Sequence, residues 1–200
     1  KRVVGLERVV AADRANRVDD ARAEVEAALR QRGLASALLE RQARGELVER
    51  IVHNDAKMSN VLLDAATGEG LCVVDLDTAM PGLALYDFGD MARTMASDTA
   101  EDATELDAVT VRTDRFVALA RGFLDGSGGP AAADRSLLVT AARVITYEQA
   151  VRFLTDYLDG DRYYRTTHPG HNLERCRAQL ALLDAFTRSG PALAREVVRP

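Results

Sequence analysis

Across residues 19–39 the apolar positions Val25, Ala28, Leu29, Leu34 and Leu38 recur at spacings near three and four, the period that aligns side chains on one face of a helix. Asp19 or Asp20 is placed to cap this stretch and Gly33 to break it, so the pattern predicts a helical pair or a bent helix. After Gly45 the period changes to two, and Leu47, Glu49 and Ile51 predict a short strand leading into a loop over 53–60. Two β-prone runs, 61–64 and 71–75, bracket a segment whose Thr67 and Gly68 suit a turn, which together predict a hairpin. Pro81 and Gly82 interrupt the chain again. A helix is expected to start near Asp87 or Asp90, where acidic side chains complement the positive end of the helix dipole. The rest reads as helix over 109–124, 134–158 and 172–187, with the last ending at Gly190 and Pro191. Gly126, Gly128 and Gly129 belong to an interhelical linker over 126–130, because no strand precedes them and no Gly-Lys-Ser/Thr follows. The pattern as a whole is mainly α with a small β-hairpin.

Composition narrows what such a chain can be. With 200 residues, 47% of them hydrophobic and 28% charged, there is apolar material for one sizeable core. No apolar run is long enough to cross a membrane, and Lys1-Arg2-Val3 is not the opening of a signal peptide, so a cytoplasmic protein with no membrane partner is expected. The net charge of -5 argues against a nucleic-acid surface, which needs clustered positive charge. Cys72 and Cys176 form neither a disulfide framework nor a zinc motif, and both are expected to be buried, reduced thiols. Lys1 and Lys57 are the only lysines, so any lysine chemistry has two candidates.

The candidate chemistry begins at residues 53–60, His-Asn-Asp-Ala-Lys-Met-Ser-Asn, which fit His-x-Asp-x-x-x-x-Asn. Fifteen residues after Asn60, across the predicted hairpin, Val73-Val74-Asp75 ends an apolar strand with a carboxylate. Phosphoryl transfer needs a carboxylate to orient and deprotonate the attacking hydroxyl, and hard oxygen ligands for Mg²⁺ on the nucleotide phosphates. Asp55 suits the first role, and Asn60 with Asp75 the second. Taken singly, each also reads as an ordinary structural residue: Asp55 a turn or cap, Asn60 a strand opener, Asp75 a strand terminator. Their register is the layout of a kinase catalytic loop with its metal-binding aspartate.

On these residues the chain resembles the aminoglycoside phosphotransferases and choline kinases, and Asp87-Phe88-Gly89 falls where that family carries a further Asp-led motif. Longer stretches, 53–57, 75–82, 86–94, 152–164 and 171–175, look like the N-acetylhexosamine 1-kinase branch. The resemblance implies the C-terminal lobe of a protein-kinase-like fold. Residues 1–50 would be a helical interlobe segment, 51–94 the catalytic loop and metal-binding hairpin, and 95–200 a helical substrate-binding region. It implies ATP and Mg²⁺ as cofactors and transfer of the γ-phosphate to the anomeric hydroxyl of an N-acetylated hexosamine. An aminoglycoside or amino alcohol is the alternative acceptor. By the same resemblance Asp55 is the catalytic base, Asn60 and Asp75 are magnesium ligands, Asp87 braces the catalytic loop through its backbone, and His53 packs and orients that loop.

Lys57 is implied to meet the phosphate or a sugar hydroxyl, and Arg152 and Tyr163 to hold the sugar. Arg152, between Val151 and Phe153, also reads as an arginine snorkelling from an apolar helix face. Asp77 follows Asp75 by two residues and, on an extended chain, would point to the same side, toward a second metal, the substrate or solvent. Asp90 and Arg93, three apart, read as an ion pair. Nothing before His53 looks like the glycine-rich loop or lysine-bearing strand of a kinase N-lobe. The expectation is therefore a lobe without its nucleotide-covering partner, inactive by itself, with an interlobe face exposed for self-association. Two other classes stand beside it: a ligand-binding module derived from a kinase lobe, and a metal-dependent phosphohydrolase built on His53, Asp55, Asp75 and Asp77.

Overall fold

The computed structural model describes residues 1–126 and 132–198. In chain order the elements are α1 (Arg2–Ala12), α2 (Arg22–Arg30), α3 (Ala37–Ala43), β1 (Arg50–Val52), β2 (Val61–Leu63), β3 (Gly70–Val73), β4 (Met80–Gly82), α4 (Ala84–Met95), α5 (Thr113–Gly126), α6 (Ala132–Leu158) and α7 (His171–Val198). Short 3₁₀ turns link several of them, among them Arg32–Ser36, Met58–Asn60 and Leu76–Thr78. The chain is mostly helical, with two two-stranded antiparallel sheets among the described residues, β1 with β4 and β2 with β3.

α6 and α7 form the central pair, and two clusters of buried residues share them. Leu138, Ala141 and Val144 of α6 and Leu182, Phe186 and Leu193 of α7 pack with Phe88 of α4 and Phe116 of α5. Phe88 meets Phe116 edge-on at 5.4 Å, a favoured aromatic geometry. Nearer the other end, Tyr147, Val151, Leu154 and Leu158 of α6 and Leu173, Cys176 and Leu183 of α7 pack with Leu6 of α1 and Ala28 of α2. The Tyr147 hydroxyl there donates to the carbonyl of Ala28 at 3.0 Å, so the buried phenol keeps a partner.

Gly89 allows α4 to lie against α6. A Cβ there would stand 2.6 Å from the carbonyl oxygen of Ala141 and 2.5 Å from the Ile145 side chain. α3 and α6 both end in Schellman geometry. Gly45 (φ +75) and Gly160 (φ +92) supply the left-handed residue, and the N–H groups of Glu46 and Asp161 reach back to the carbonyls of Arg41 and Asp156.

The helical pair expected over 19–39 is present as α2 and α3, with a 3₁₀ turn through Gly33 between them. Several other expectations change. α2 is preceded by Ala21, not capped by Asp19 or Asp20. α4 starts at Ala84, ahead of Asp87, because Leu83 and Leu85 are already buried in the core. α7 continues through Gly190 and Pro191 to Val198. Leu193 and Val197 are buried beyond the break point, and Thr187, whose carbonyl loses its helical partner to Pro191, is exposed to water. Cys72 is exposed, whereas Cys176 is buried as expected. The β2–β3 hairpin stands away from the core, so its apolar run does not imply burial: Leu62, Leu71 and Val73 are each half or more exposed. Of the predicted linker, residues 127–130 lie outside the described residues.

Candidate active site

The loop after β1 is held at both ends before any functional side chain is placed. β1 pairs with β4 in the register Arg50↔Gly82 and Val52↔Met80, which brings residues 53 and 79 together. Asp87, in the first turn of α4, accepts the backbone N–H of His53 at 2.8 Å and that of Asn54 at 2.7 Å. The Thr78 hydroxyl donates to the His53 carbonyl at 2.6 Å, and the Asn54 carboxamide donates to the Thr78 carbonyl at 3.1 Å. Asn54 turns the chain through the left-handed region, φ +63, which asparagine tolerates better than most residues. The His53 ring makes its contact through Nε2 to the Val74 carbonyl, 3.0 Å away, so His53 orients the loop against the hairpin.

Within this frame, Asp55 is half-buried between two donors. Lys57 Nζ lies 2.6 Å from Asp55 Oδ2, and the Asn60 carboxamide donates to both Asp55 Oδ2 and its carbonyl at 2.9 Å. Burial alone would raise the Asp55 carboxyl. The hydrogen bonds from Lys57 and Asn60, with the Lys57 charge, outweigh it and hold the carboxyl below its ordinary value.

Asn60 is buried and its Nδ2 is committed to Asp55, which leaves Oδ1 as the end available to a cation. The hairpin register Val61↔Val73 and the Val74 N–H donated to the Asn60 carbonyl at 2.9 Å bring Asp75 to the same open end of the hairpin. An amide oxygen and a carboxylate are hard donors, and magnesium characteristically takes one or two carboxylates plus phosphate and water oxygens. Asn60 and Asp75 could therefore hold it. Asp75 follows β3 by two residues and adopts φ +63. The chain then enters the Leu76–Thr78 3₁₀ turn. The backbone from Asp75 to Asp77 is therefore not extended, so the alternation from which Asp77 was expected on the side of Asp75 does not apply here. Among the described residues no three His, Cys, Asp or Glu side chains gather as metal ligands.

A cleft of about 1140 Å³ opens beside this loop. Asp55 and Lys57 line it with Arg152 and Tyr163, so four residues singled out in the sequence meet in one space. His53, Asn60, Asp75, Asp77 and Asp87 do not line it. Arg152 donates to Gln149 at 3.0 Å, and its guanidinium lies over the rings of Tyr163 at 6.0 Å and Tyr164 at 5.4 Å, within cation–π range. Asp90 and Arg93 form the expected ion pair at 2.9 Å. Both also line the cleft, and Arg93 extends the pair to Glu101. Burial raises the Asp90 carboxyl more than Arg93 lowers it.

Sequence reasoning missed Thr78, Asn54, Gln149, Tyr164 and Glu148. Glu148 lines the cleft with its carboxyl raised by burial. Its mark in the sequence is a Glu-Gln pair inside an otherwise apolar helical stretch. No helix among the described residues is long and apolar enough to cross a membrane. The model of the phosphotransferase enzyme family (APH) matches residues 2–121, from α1 through the catalytic loop and hairpin into α5. The match covers more than half of the chain, which therefore belongs to the phosphotransferase enzyme family.

Proposed function

We propose that the protein moves the γ-phosphate of ATP to a hydroxyl of a small molecule held in this cleft, and that the acceptor is an N-acetylated hexosamine phosphorylated at its anomeric hydroxyl. The observation that carries the chemistry is Asp55, held between Lys57 and Asn60 on the wall of a cleft large enough for a sugar. In this reading Asp55 takes the proton of the attacking hydroxyl as its oxygen bonds to the γ-phosphorus. The bond from that phosphorus to the bridging oxygen breaks, and ADP leaves. Lys57 moves from Asp55 toward the transferring phosphoryl group as charge develops there. Magnesium, with Asn60 and Asp75 as its protein ligands, would neutralise charge on the nucleotide phosphates.

The charge of the cleft favours a sugar over an aminoglycoside. Arg2, Lys57, Arg93, Arg152, Arg165 and Arg175 line it against Asp55, Asp90, Glu101 and Glu148. A polycationic acceptor would meet a cationic excess, whereas an uncharged polyol would meet donors and acceptors of both kinds. The exposed ring of Tyr163 offers a face for the apolar side of a pyranose.

Titration calorimetry with N-acetylglucosamine, N-acetylgalactosamine, glucose and a polycationic aminoglycoside separates the acceptors without depending on the nucleotide. The sugar reading expects the two N-acetylated hexosamines to bind most tightly. An aminoglycoside that binds more tightly than either would overturn it.

A further inference from the structure

Asp156 lies one helical turn beyond Arg152 on α6 and is buried at 7% exposure, yet no step of the proposed reaction uses it. Its carboxylate accepts four hydrogen bonds. Oδ1 takes the backbone N–H of Arg162 at 2.9 Å and of Tyr163 at 2.8 Å, and Oδ2 takes the N–H of Tyr164 at 2.9 Å. The Asn172 carboxamide at the start of α7, fully buried, donates to Oδ2 at 2.9 Å and to Asp161 Oδ1 at 2.9 Å. Asp161 in turn pairs with Arg17. Three successive N–H groups are thus fixed by one carboxylate, and that carboxylate is fixed by α7.

The other residues on this face of α6 seat the side chains of the same segment. Phe153 packs against the Tyr164 ring at 4.7 Å between centroids, Gln149 donates to the Tyr164 hydroxyl at 3.3 Å, and Arg152 lies over both tyrosine rings. Tyr164 is consequently held by three side chains of α6. Tyr163, edge-on to it at 4.8 Å, remains 75% exposed and lines the cleft. Burying a carboxyl group and ordering this segment both cost free energy. An exposed ring recovers little of that cost by its own burial, which points to a use for the ring once it is ordered.

We infer that Asp156 and Asn172 are positioning residues for acceptor recognition: together they set the backbone of 162–164 so that the Tyr163 ring stands ready at the cleft for the acceptor. Neither residue lines the cleft itself, so both act through the segment they hold. This inference rests on the acceptor reading given above and adds the residues that preorganise its aromatic platform.

The test is a double-mutant cycle read by titration calorimetry with N-acetylglucosamine, with thermal melting alongside. Asp156→Asn keeps the shape but turns an amide toward the Tyr164 N–H and the Asn172 carboxamide, and is expected to weaken binding about tenfold. Asn172→Ala, which leaves the three backbone bonds in place, is the milder second variant, expected to weaken it about threefold. If Asp156 acts through Tyr163, adding Asp156→Asn to Tyr163→Ala should weaken binding no further than Tyr163→Ala alone. A merely structural role would lower the melting temperature while leaving the affinity of the folded protein as in the parent, and that result would overturn the inference. A parent that fails to bind the sugar would instead overturn the acceptor reading and this inference with it.

Discussion

In the proposed reaction Asp55 is the base, and its surroundings set the pH range in which it can work. Burial pulls its carboxyl up, but the hydrogen bonds from Lys57 and Asn60 and the Lys57 charge hold it below the ordinary value. A depressed carboxyl contributes stability that is present above its unfolded value, about 4 for aspartate, and lost as pH falls through the folded one. The base is therefore ionised throughout the neutral range, and the acid limb of kcat/KM due to Asp55 is expected below about pH 4. Lys57→Met should move that limb upward. An unmoved limb would mean that the ion pair does not set the proton affinity of Asp55.

Asp87 is the second residue whose role is readable from its bonds alone. Asp87→Asn leaves one backbone N–H of the catalytic loop facing an amide donor, and is expected to lower kcat by about tenfold to a hundredfold while sugar affinity stays as in the parent. Parent-like turnover in this variant would show that the loop holds its shape without the brace. The two cysteines give a simple check of burial. One thiol, Cys72, should react with a thiol reagent in the native protein, and Cys176 only after unfolding.

At the scale of elements, the closest constraint is the crossing of α4 over α6 at Gly89. A methyl group there meets backbone, the Ala141 carbonyl at 2.6 Å, as well as the Ile145 side chain. Gly89→Ala is therefore expected to destabilise the protein by about 1–3 kcal/mol and, because Asp87 and Asp90 share α4, to lower activity at temperatures where the protein is still folded. An unchanged melting temperature would show that the two helices can separate without cost.

Local pattern was sufficient for the β2–β3 hairpin and for the existence of the long helices. It failed at their limits, because those are set by distant partners. Pro191 reads as a stop, yet Leu193 and Val197 find the core beyond it. β4 was invisible, since Met80-Pro81-Gly82 has no strand propensity and is extended only because β1 pairs with it.

For the whole molecule, the candidate site was legible where function concentrates unusual residues within a short span: Asp55, Lys57 and Asn60 are near neighbours in sequence and touch in the structure. It was illegible where the site is assembled from afar. Asp156 reaches the 162–164 segment across a turn made by Gly160 and Asp161, both at positive φ, and Asn172 reaches Asp156, and nothing in the helical period of α6 marks Asp156 for that use. The exposed apolar strands belong to this scale too. Ile51, Leu71, Val73 and Leu76 are all more than half exposed, and the self-association expected from the sequence is proposed to use these residues. Sedimentation at rising concentration should show association that Leu71→Ser with Val73→Ser weakens. A monomer at every concentration would remove that proposal.

The central claim is that this cleft phosphorylates a sugar with Asp55 as base. The most direct measurement is sugar 1-phosphate formation from ATP, Mg²⁺ and N-acetylglucosamine, followed by phosphorus NMR, for the parent and for Asp55→Asn, with sugar affinity measured on both. The expected result, with the nucleotide-covering lobe that the sequence reading calls for supplied, is product from the parent, a loss of about a thousandfold in the variant, and sugar affinity unchanged within threefold. Product formed by Asp55→Asn at a rate within threefold of the parent would contradict the assignment of the base.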